Sequence, residues 1–412
     1  MPGPRTDDFL SHVTQDSNRD REDEAHIREL QSRDLLYRGP KRVHYFYPER
    51  TGILYFSRGR GRGHAIPDLS IVEELHQLRD DLDILFVSYA TGADTLAEFG
   101  QATIDLDLPE DNLVWDTVVL ALRLISEMHP TLVVAHEEFA ALIASDAADV
   151  PATLITHWFL KPETFVMQTL RYANDIIFID HEGRFEEPPT AAGKVHYVGP
   201  VVRSFLYQRS DRHSCRIELG VPVSDTLITV LPGSWTEETA PIFDLVLEAI
   251  RLLNHRDVNL IWVAGEDFDV LSNQTESLGW VSVIEKEWQI DRLMVASDVV
   301  ITKANRNTVV ELEHLGIPSI SLTFHLNPTD DQSIAGIQTN TTLEADGLKP
   351  EQLAESLRMA MDDDHAIDNA QSGGSTDDGK KRPAAALAAD VINQRLQQIL
   401  GSMTVEQKSG PE

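Results

Sequence analysis

The strongest constraint on this sequence is an alternation of short apolar runs with amphipathic segments, and the alternation occurs twice along the chain. A short run that is apolar throughout is typical of a strand buried on both faces, while the segments between the runs follow the helical period. Such strands need helices on both sides, which indicates a parallel sheet. The first set of runs covers residues 52–59, 82–90, 131–138, 152–159, 175–182 and 194–200, and the second covers 226–233, 259–266, 281–287, 298–304 and 318–324.

Two Rossmann-like, doubly wound α/β domains in tandem are therefore predicted, with a cleft expected between the carboxyl ends of their parallel sheets. A chain of 412 residues is long enough to bury two such cores. The charged N-terminus is expected to be largely disordered or arm-like. The predicted segments are an extension over 1–50, a first domain over 51–203, a linker over 204–224, a second domain over 225–366, a flexible linker over 367–383, and a C-terminal helix and tail over 384–412.

Charge and cysteine content argue against several classes of protein. A formal net charge of -32 argues against nucleic acid as a partner, because phosphate binding needs a basic face. The single cysteine, Cys215, excludes an intrachain disulfide, fits a reducing compartment, and is expected to be partly buried rather than reactive. We expect no secretory signal and no membrane span, and predict a cytoplasmic protein or one bound peripherally at the inner face of the membrane.

The first apolar run leads directly into a glycine-rich segment, SRGRGRGHAIPDL, that opens the first predicted helix. Gly59, Gly61 and Gly63 let the backbone approach a ligand, and amides at a helix start favour an anion. A dinucleotide site is the competing interpretation, but its fingerprint needs a small residue where His64 stands, and only Asp94 follows the second strand. His64 suits a general base facing the cleft; otherwise it is a capping or structural histidine.

Two segments of the second half have similar potential for binding a nucleotide. In LPGSWTEE, Gly233 and Ser234 turn the chain into a helix whose N-terminus can receive a diphosphate, unless Ser234 is a simple N-cap. In KANRNTVVELEHLGIP, a helix is predicted to start near Asn307 or Thr308, with Glu311 on its first turn. That carboxylate can accept two hydrogen bonds from a ribose diol, or it is stabilised there by the helix dipole.

Further polar residues follow other predicted strands. Asp331 and Gln332 in NPTDDQSIAG suit the hydroxyl groups of a sugar, although helix capping by Asp330 or Asp331 is the favoured interpretation of this segment taken by itself. The segment His136-Glu137-Glu138 lacks the second histidine of a zinc-binding helix, so no metal site is predicted. We expect this segment and His157 to line the acceptor side of the cleft.

Taken in this order, these segments resemble the MurG-type glycosyltransferases, a family that has the GT-B fold and uses UDP-sugars. GRGRGHAIPDLSIVEEL is similar to the family's G-G-T-G-G-H loop and following helix, VGPVVR to its G-N-P-V-R segment, and LPGSWTEE to its G-G-S loop. TVVELEHLGIPSISLTF closely resembles T-V-S-E followed by a helix and A-G-x-P, and NPTDDQSIAG resembles D-x-Q-Q-x-x-N-A. The resemblance covers roughly residues 52–345.

The resemblance implies an inverting, metal-independent transfer of a sugar from a nucleoside-diphosphate donor, a UDP-sugar, to a hydroxyl acceptor that is a small molecule or lipid-linked. No cofactor is expected. It also implies roles for single residues, with His64 as the general base, Glu311 on the ribose, and Gln332 with Asp331 on the donor sugar. The acceptor loop would comprise Gly59, Gly61, Arg62 and Gly63, and the remaining donor-binding residues would be Arg203, Gly233, Ser234, Arg306, Asn307 and Thr308.

Several departures from the family pattern concern the acceptor and the phosphates. Arg58, Arg60 and Arg62 stand where the family has small residues, which indicates an anionic acceptor or arginines that are merely solvated. The turn before the Glu311 helix lacks the usual glycine, so Arg306 is expected to contact phosphate itself. Two alternatives stay open at this point: a sugar-nucleotide epimerase or hydrolase on the same fold, and a nucleotide-sugar binding protein without catalysis.

Overall fold

The computed structural model describes residues 46–47, 50–109, 114–232, 239–253, 257–287, 289–324, 334–371 and 382–408. The chain divides into two compact units: unit 1 comprises Met1–Arg203 and Lys381–Glu412, and unit 2 comprises Ser204–Lys380. Each unit is built on one parallel sheet, which confirms the predicted fold class of two Rossmann-like α/β domains. Most of the predicted extension over 1–50 and much of the predicted linker over 367–383 lie outside the described residues.

Unit 1 contains a seven-stranded parallel sheet in the order β3-β2-β1-β4-β5-β6-β7. Its strands are β1 (Thr51–Ser57), β2 (Leu82–Ser88), β3 (Thr103–Asp105), β4 (Leu132–His136), β5 (Ala152–Thr156), β6 (Asp175–Phe178) and β7 (Val195–Tyr197). The helices between them are α1 (Ala65–Leu78), α2 (Ala90–Glu98), α3 (Val114–Met128), α4 (Phe139–Ala147) and α5 (Phe165–Thr169).

Unit 2 contains a six-stranded parallel sheet in the order β10-β9-β8-β11-β12-β13. Its strands are β8 (Thr226–Leu231), β9 (Val258–Val263), β10 (Val281–Ile284), β11 (Val299–Lys303), β12 (Ser319–Thr323) and β13 (Asn340–Glu344). Its helices are α6 (Arg212–Glu218), α7 (Thr239–Leu253), α8 (Phe268–Thr275), α9 (Ile290–Ala296), α10 (Arg306–Leu315) and α11 (Pro350–Gln371). No helix in the described part of the chain is both long and apolar enough to cross a bilayer.

The central strand β1 shows why the sheet of unit 1 is covered on both sides. All seven of its residues are buried, and successive side chains point to opposite faces. Ile53 and Tyr55 belong to the core cluster formed with α1 and with the final helix, α12 (Ala384–Lys408), while Leu54 and Phe56 pack in the cluster formed with α3 and α4. The C-terminal helix is therefore part of the core of unit 1.

The apolar runs located eleven of the strands but gave no sign of two of the four edge strands, β3 and β13. An edge strand pairs on one side only, so its residues need not be apolar on both faces. β13 reads Asn-Thr-Thr-Leu-Glu, and none of its residues is buried.

The segment 204–224, predicted as an interdomain linker, contains α6 and packs into unit 2. Cys215 on α6 is fully buried within an apolar cluster of unit 2. This full burial exceeds the partial burial predicted for Cys215. Burial raises the pKa of its thiol to about 11, which fits the expectation of an unreactive cysteine. The guanidinium of Arg216, also buried, donates to the carbonyl oxygens of Ala296, Val223 and Asp225 and to the Asp298 carboxylate at 2.6–3.0 Å.

We predict that Arg216→Ala lowers the free energy of unfolding of unit 2 by about 3–5 kcal/mol, because it leaves Asp298 with one buried partner fewer and strands three carbonyl oxygens. Hydrogen exchange of the β8 and β11 amides measures this unit separately. Arg358→Ala is the control, since that side chain is exposed and its loss should change the same quantity by less than about 0.5 kcal/mol. Equal protection of these amides from hydrogen exchange in the two variants would contradict the stabilising role assigned to Arg216.

Candidate active site

The polar residues of unit 1 converge where the order of its sheet reverses. β1 lies between β2 and β4, and Ser57 at the end of β1 is opposite His136 at the end of β4. The chain continues from these ends into the loop 58–64 and into Glu137. In open parallel sheets, ligands bind at the carboxyl ends of the strands at such a reversal.

A buried carboxylate fixes the start of α1 against both strands. Asp68 is fully buried and accepts hydrogen bonds from the Tyr55 hydroxyl at 2.7 Å and the Ser57 hydroxyl at 2.6 Å. Its Oδ1 also lies 2.7 Å from Nδ1 of His136. Burial, and then the nearby Asp68 carboxylate, raise the pKa of Tyr55 well above its ordinary value, so the phenol stays a donor. Asp68 thus determines where the first turn of α1 lies relative to β1 and β4.

The second buried carboxylate, Glu137, contacts the predicted base directly. Its Oε2 lies 2.9 Å from Nε2 of His64, and its Oε1 lies 2.8 Å from Nδ1 of His157. The Thr156 hydroxyl donates to Oε1 at 3.3 Å. The Glu137 side chain is 2% exposed, so the two histidines replace the water that a carboxylate would otherwise bind.

The charge states of this pair follow from burial and from each other. Burial by itself would raise the pKa of Glu137, but His157 and His64 outweigh it and hold the pKa well below its ordinary value. Burial lowers the pKa of His64, and the hydrogen bond to Glu137 opposes that shift only in part. At neutral pH, Glu137 is therefore an ionised acceptor and His64 is a neutral imidazole.

These charge states determine which nitrogen of His64 carries the hydrogen. A carboxylate only accepts, so the hydrogen lies on Nε2, facing Glu137, and Nδ1 keeps its lone pair. Nδ1 is buried and has no hydrogen-bond partner among the described residues. His64 is the N-cap residue of α1, but its side chain makes no capping hydrogen bond, so the competing interpretation of a capping histidine is wrong. Nδ1 of His64 is therefore a hydrogen-bond acceptor, and the hydrogen bond from Nε2 to Glu137 fixes this tautomer.

Glu137 is also held in an unfavourable backbone conformation. Its φ of 51° lies in the left-handed region, which costs a residue other than glycine roughly 1–3 kcal/mol. Its amide donates to the carbonyl oxygen of Ile155 at 3.0 Å, and this bond helps to keep the residue in place. Strain of this kind is typical of functional positions.

The glycine-rich loop has structural reasons for two of its glycines. A Cβ on Gly59 would lie 2.1 Å from the carbonyl oxygen of Tyr89, and Gly61 has a φ of 63°. The arginines differ in their surroundings, since Arg60 is exposed while Nη1 of Arg58 lies 4.0 Å from Glu137. A cation close to the two histidines is compatible with an anionic ligand but does not identify one.

Sequence reasoning placed Glu137 and His157 only on the lining of the acceptor side and did not single out Asp68. The available signal was positional, because Glu137 follows β4 at the strand next to the His64 loop. Pairing between β1 and β4 is a tertiary fact, since β2 and β3 intervene along the chain.

In unit 2, four of the predicted donor residues share one helix after β11. Asn305 caps α10 by accepting from the amide of Asn307 at 3.1 Å, and Arg306, Asn307 and Thr308 form the first turn. Arg306 is 3% exposed, and its guanidinium donates to Oδ1 of Asn307 at 3.2 Å. Glu311 is buried on the second turn, which corrects the prediction that it lies on the first, because the helix begins at Arg306, one or two residues earlier than predicted.

One of the remaining predicted donor residues, Arg203, lies in unit 1. Arg203 is the last residue of the first segment of unit 1 and is half-buried. Four others lie outside the described residues, namely Gly233, Ser234, Asp331 and Gln332.

The comparison with protein families gives a match over residues 227–385, to the Glycosyltransferase family 28 C-terminal domain. Among curated proteins, a relative from Ruminiclostridium cellulolyticum is 26% identical over 292 residues, which cover 65% of this chain and 78% of the relative. That relative is a UDP-N-acetylglucosamine--N-acetylmuramyl-(pentapeptide) pyrophosphoryl-undecaprenol N-acetylglucosamine transferase.

Solved structures show the same fold. MurG from Acinetobacter baumannii matches with a TM-score of 0.58 at 14% identity, over 84% of this chain and 99% of its own. A UDP-GlcNAc 2-epimerase from Neisseria meningitidis, bound to UDP-GlcNAc, matches with a TM-score of 0.58 at 14% identity, over 84% of this chain and 100% of its own. The fold is therefore shared by transferases and epimerases, and does not by itself separate the two.

The family match and the sequence relatives distinguish a transferase from an epimerase. This chain is a glycosyltransferase with a GT-B fold. Within that class the chain is similar in sequence to the MurG-type transferases, and this similarity agrees with the order of its motifs.

We predict that Gly59→Ala lowers the free energy of unfolding of unit 1 by at least about 1–3 kcal/mol, because the added methyl group would overlap the carbonyl oxygen and ring atoms of Tyr89. Thermal unfolding measures the change. Gly401→Ala adds the same methyl group to α12, where no heavy atom of the described residues outside the helix's own backbone lies within 4 Å, and should be neutral or stabilising by up to about 1 kcal/mol. Equal unfolding temperatures in the two variants would show that the loop around Gly59 is not closely packed.

Proposed function

We propose that this chain transfers a sugar from a UDP-sugar to a hydroxyl acceptor, with inversion at the anomeric carbon and without a metal ion. The family match and the relatives named as UDP-N-acetylglucosamine transferases support the class of donor. The observation that carries the proposal is the buried lone pair on Nδ1 of His64, with Glu137 bound to the opposite nitrogen.

In the proposed reaction, the acceptor hydroxyl gives its proton to Nδ1 of His64 while its oxygen attacks the anomeric carbon. The new carbon–oxygen bond forms on the face opposite the departing diphosphate, so one displacement inverts the configuration. The imidazolium that forms lies 2.9 Å from the ionised Glu137, which stabilises its charge as the reaction proceeds. His157 and Thr156 keep that carboxylate in position.

The proposed donor site begins where the sheet of unit 2 reverses. β8 lies between β9 and β11, and the segments after β8 and β11 contain the predicted phosphate-binding residues. The first turn of α10 would receive the diphosphate with its amides and with Arg306, and Ser234 and Arg203 would complete the binding. Glu311 would accept hydrogen bonds from the ribose, and Gln332 with Asp331 would bind the sugar.

The proposed acceptor is anionic, because Arg58 and Arg62 lie in the loop that leads to His64. The relatives act on a pyrophosphoryl-undecaprenol compound according to their name, which is both anionic and lipid-linked. An acceptor of this chemistry would place the protein at the inner face of the membrane, as a peripheral protein without a span.

We predict that His64→Ala lowers the rate of sugar transfer by about 100- to 10,000-fold, because it removes the proposed acceptor of the hydroxyl proton. Binding of UDP, measured by calorimetry, should be unchanged. His76→Ala is the matched control, since His76 lies on the same helix but is exposed, and it should keep full activity.

Full transfer activity in His64→Ala would rule out this histidine as the base. A UDP-sugar incubated without acceptor tests the other enzyme class, because rapid conversion under these conditions indicates an epimerase or hydrolase. Absence of thermal stabilisation by every nucleotide in a panel would contradict the proposed donor site.

The pH profile tests the pairing of His64 with Glu137. Transfer requires neutral His64, so the rate falls as the pH drops through the pKa of His64, which burial places below 6.5. Glu137→Gln removes the partner that raises this pKa, so the acid limb of kcat/KM should move to still lower pH. The plateau should fall by about 100-fold or more, because the tautomer is no longer fixed.

Glu127→Gln is the control for that profile, since Glu127 is exposed on α3 and pairs with Arg123 on the helix surface. Its acid limb and plateau should match those of the unaltered chain. A Glu137→Gln profile that also matches would show that the carboxylate does not position the base.

A further inference from the structure

We propose that His64, His136 and Glu137 form a binding site for one divalent transition-metal ion, with zinc as the best-fitting ion. Each side chain offers one ligand atom, and these three atoms all lie within 4.8 Å of one another. Two ligands of a tetrahedral zinc ion lie about 3.4 Å apart, given bonds of about 2.0–2.1 Å. Small side-chain rotations are therefore enough to bring the three atoms to one ion.

The ligands already have the supporting hydrogen bonds that metal sites use. Nδ1 of His136 is 2.7 Å from Asp68, which orients the ring and directs its other nitrogen, Nε2, to the ion. Oε1 of Glu137 is held by Nδ1 of His157 at 2.8 Å, which directs Oε2 toward His64. A histidine bound to a carboxylate from behind is the usual arrangement of a zinc-ligating imidazole.

The kinds of ligand atom select the ion. Two imidazole nitrogens and one carboxylate oxygen are a common set for zinc with an open fourth position, whereas magnesium and calcium prefer oxygen ligands alone. The burial of His136 and Glu137, 2% exposed each, strengthens their interaction with a cation.

The surrounding charges act in both directions. Arg58 lies 4.0 Å from Glu137 and opposes a cation. Asp68 and Glu138 are buried carboxylates close to the ligands, and their negative charge favours binding of a cation. An ion bound by both His64 and Glu137 would replace the hydrogen bond that now joins them, so metal binding and the observed hydrogen bond exclude each other.

A consequence for activity rests on the proposed function. A neutral imidazole that binds a metal through one nitrogen carries its hydrogen on the other, so it has no lone pair left for a proton. Zinc at this site would therefore inhibit sugar transfer reversibly, with chelation restoring the rate. The site would act as a metal-sensitive block on the base, not as a cofactor site.

Zinc binding to the full-length, untagged chain tests the proposal without an activity assay. Competition with a chelating dye should give one ion per chain, and cobalt should give the visible absorption bands of a four- or five-coordinate site. His64→Ala and His136→Asn should each weaken binding by about 100-fold or more, and Asp68→Asn by about 10- to 100-fold. Asn at position 136 keeps a donor for Asp68 but lacks the second ring nitrogen, and circular dichroism checks that each variant is folded.

His196→Ala is the matched control, because His196 also pairs with a carboxylate, Asp175, yet lies outside the cluster. It should retain the affinity. Absence of stoichiometric zinc binding, or equal affinity in His64→Ala, His136→Asn and the unaltered chain, would overturn the site. Binding that depends on these ligands but leaves transfer unaffected supports the site and contradicts the role of His64 as base.

Discussion

The site of unit 1 depends on the rule that a buried carboxylate must be paired. Glu137 and Asp68 lie among strand ends from which water is excluded, and each is held by several donors. Their partners come from β1, β4, β5 and the start of α1, so satisfying the two charges fixes the relative positions of these four elements. The lone pair of His64 is a by-product of this pairing, because Glu137 takes the hydrogen on the opposite nitrogen.

The fold provides the place for this site but not its chemistry. Both sheets reverse their order at the first strand of the unit, so the segments after neighbouring strands meet at the carboxyl edge. Structures of a transferase and an epimerase match the chain equally well, which shows how little the scaffold decides. At the reversal of the sheet of unit 1, this chain places a histidine, His64, against a buried carboxylate, Glu137.

Much of the fold could be predicted because central strands are buried on both faces and therefore read as apolar runs. Two of the four edge strands escaped prediction, because β3 has only three residues and β13 is mostly polar and has no buried residue. The segment 204–224 was predicted to be a linker because it is charged, yet Arg216 within it is buried. Three carbonyl oxygens and one carboxylate accept hydrogen bonds from its guanidinium, and these tertiary contacts explain the burial. The spacing of the glycines predicted the loop. The reason for a glycine at position 59, its close contact with Tyr89, is visible only in the structure.

By itself, the sequence determined the fold class, the resemblance to one family of transferases and the candidate base, since these depend on local pattern and on motif order. His64 stands out because it ends a glycine-rich loop at a helix start. The partners of His64 were decided by the tertiary structure, because Glu137 lies 73 residues away and meets it only through pairing of β1 with β4. A buried charge selects its partners by proximity in space, and no spacing along the chain encodes that proximity.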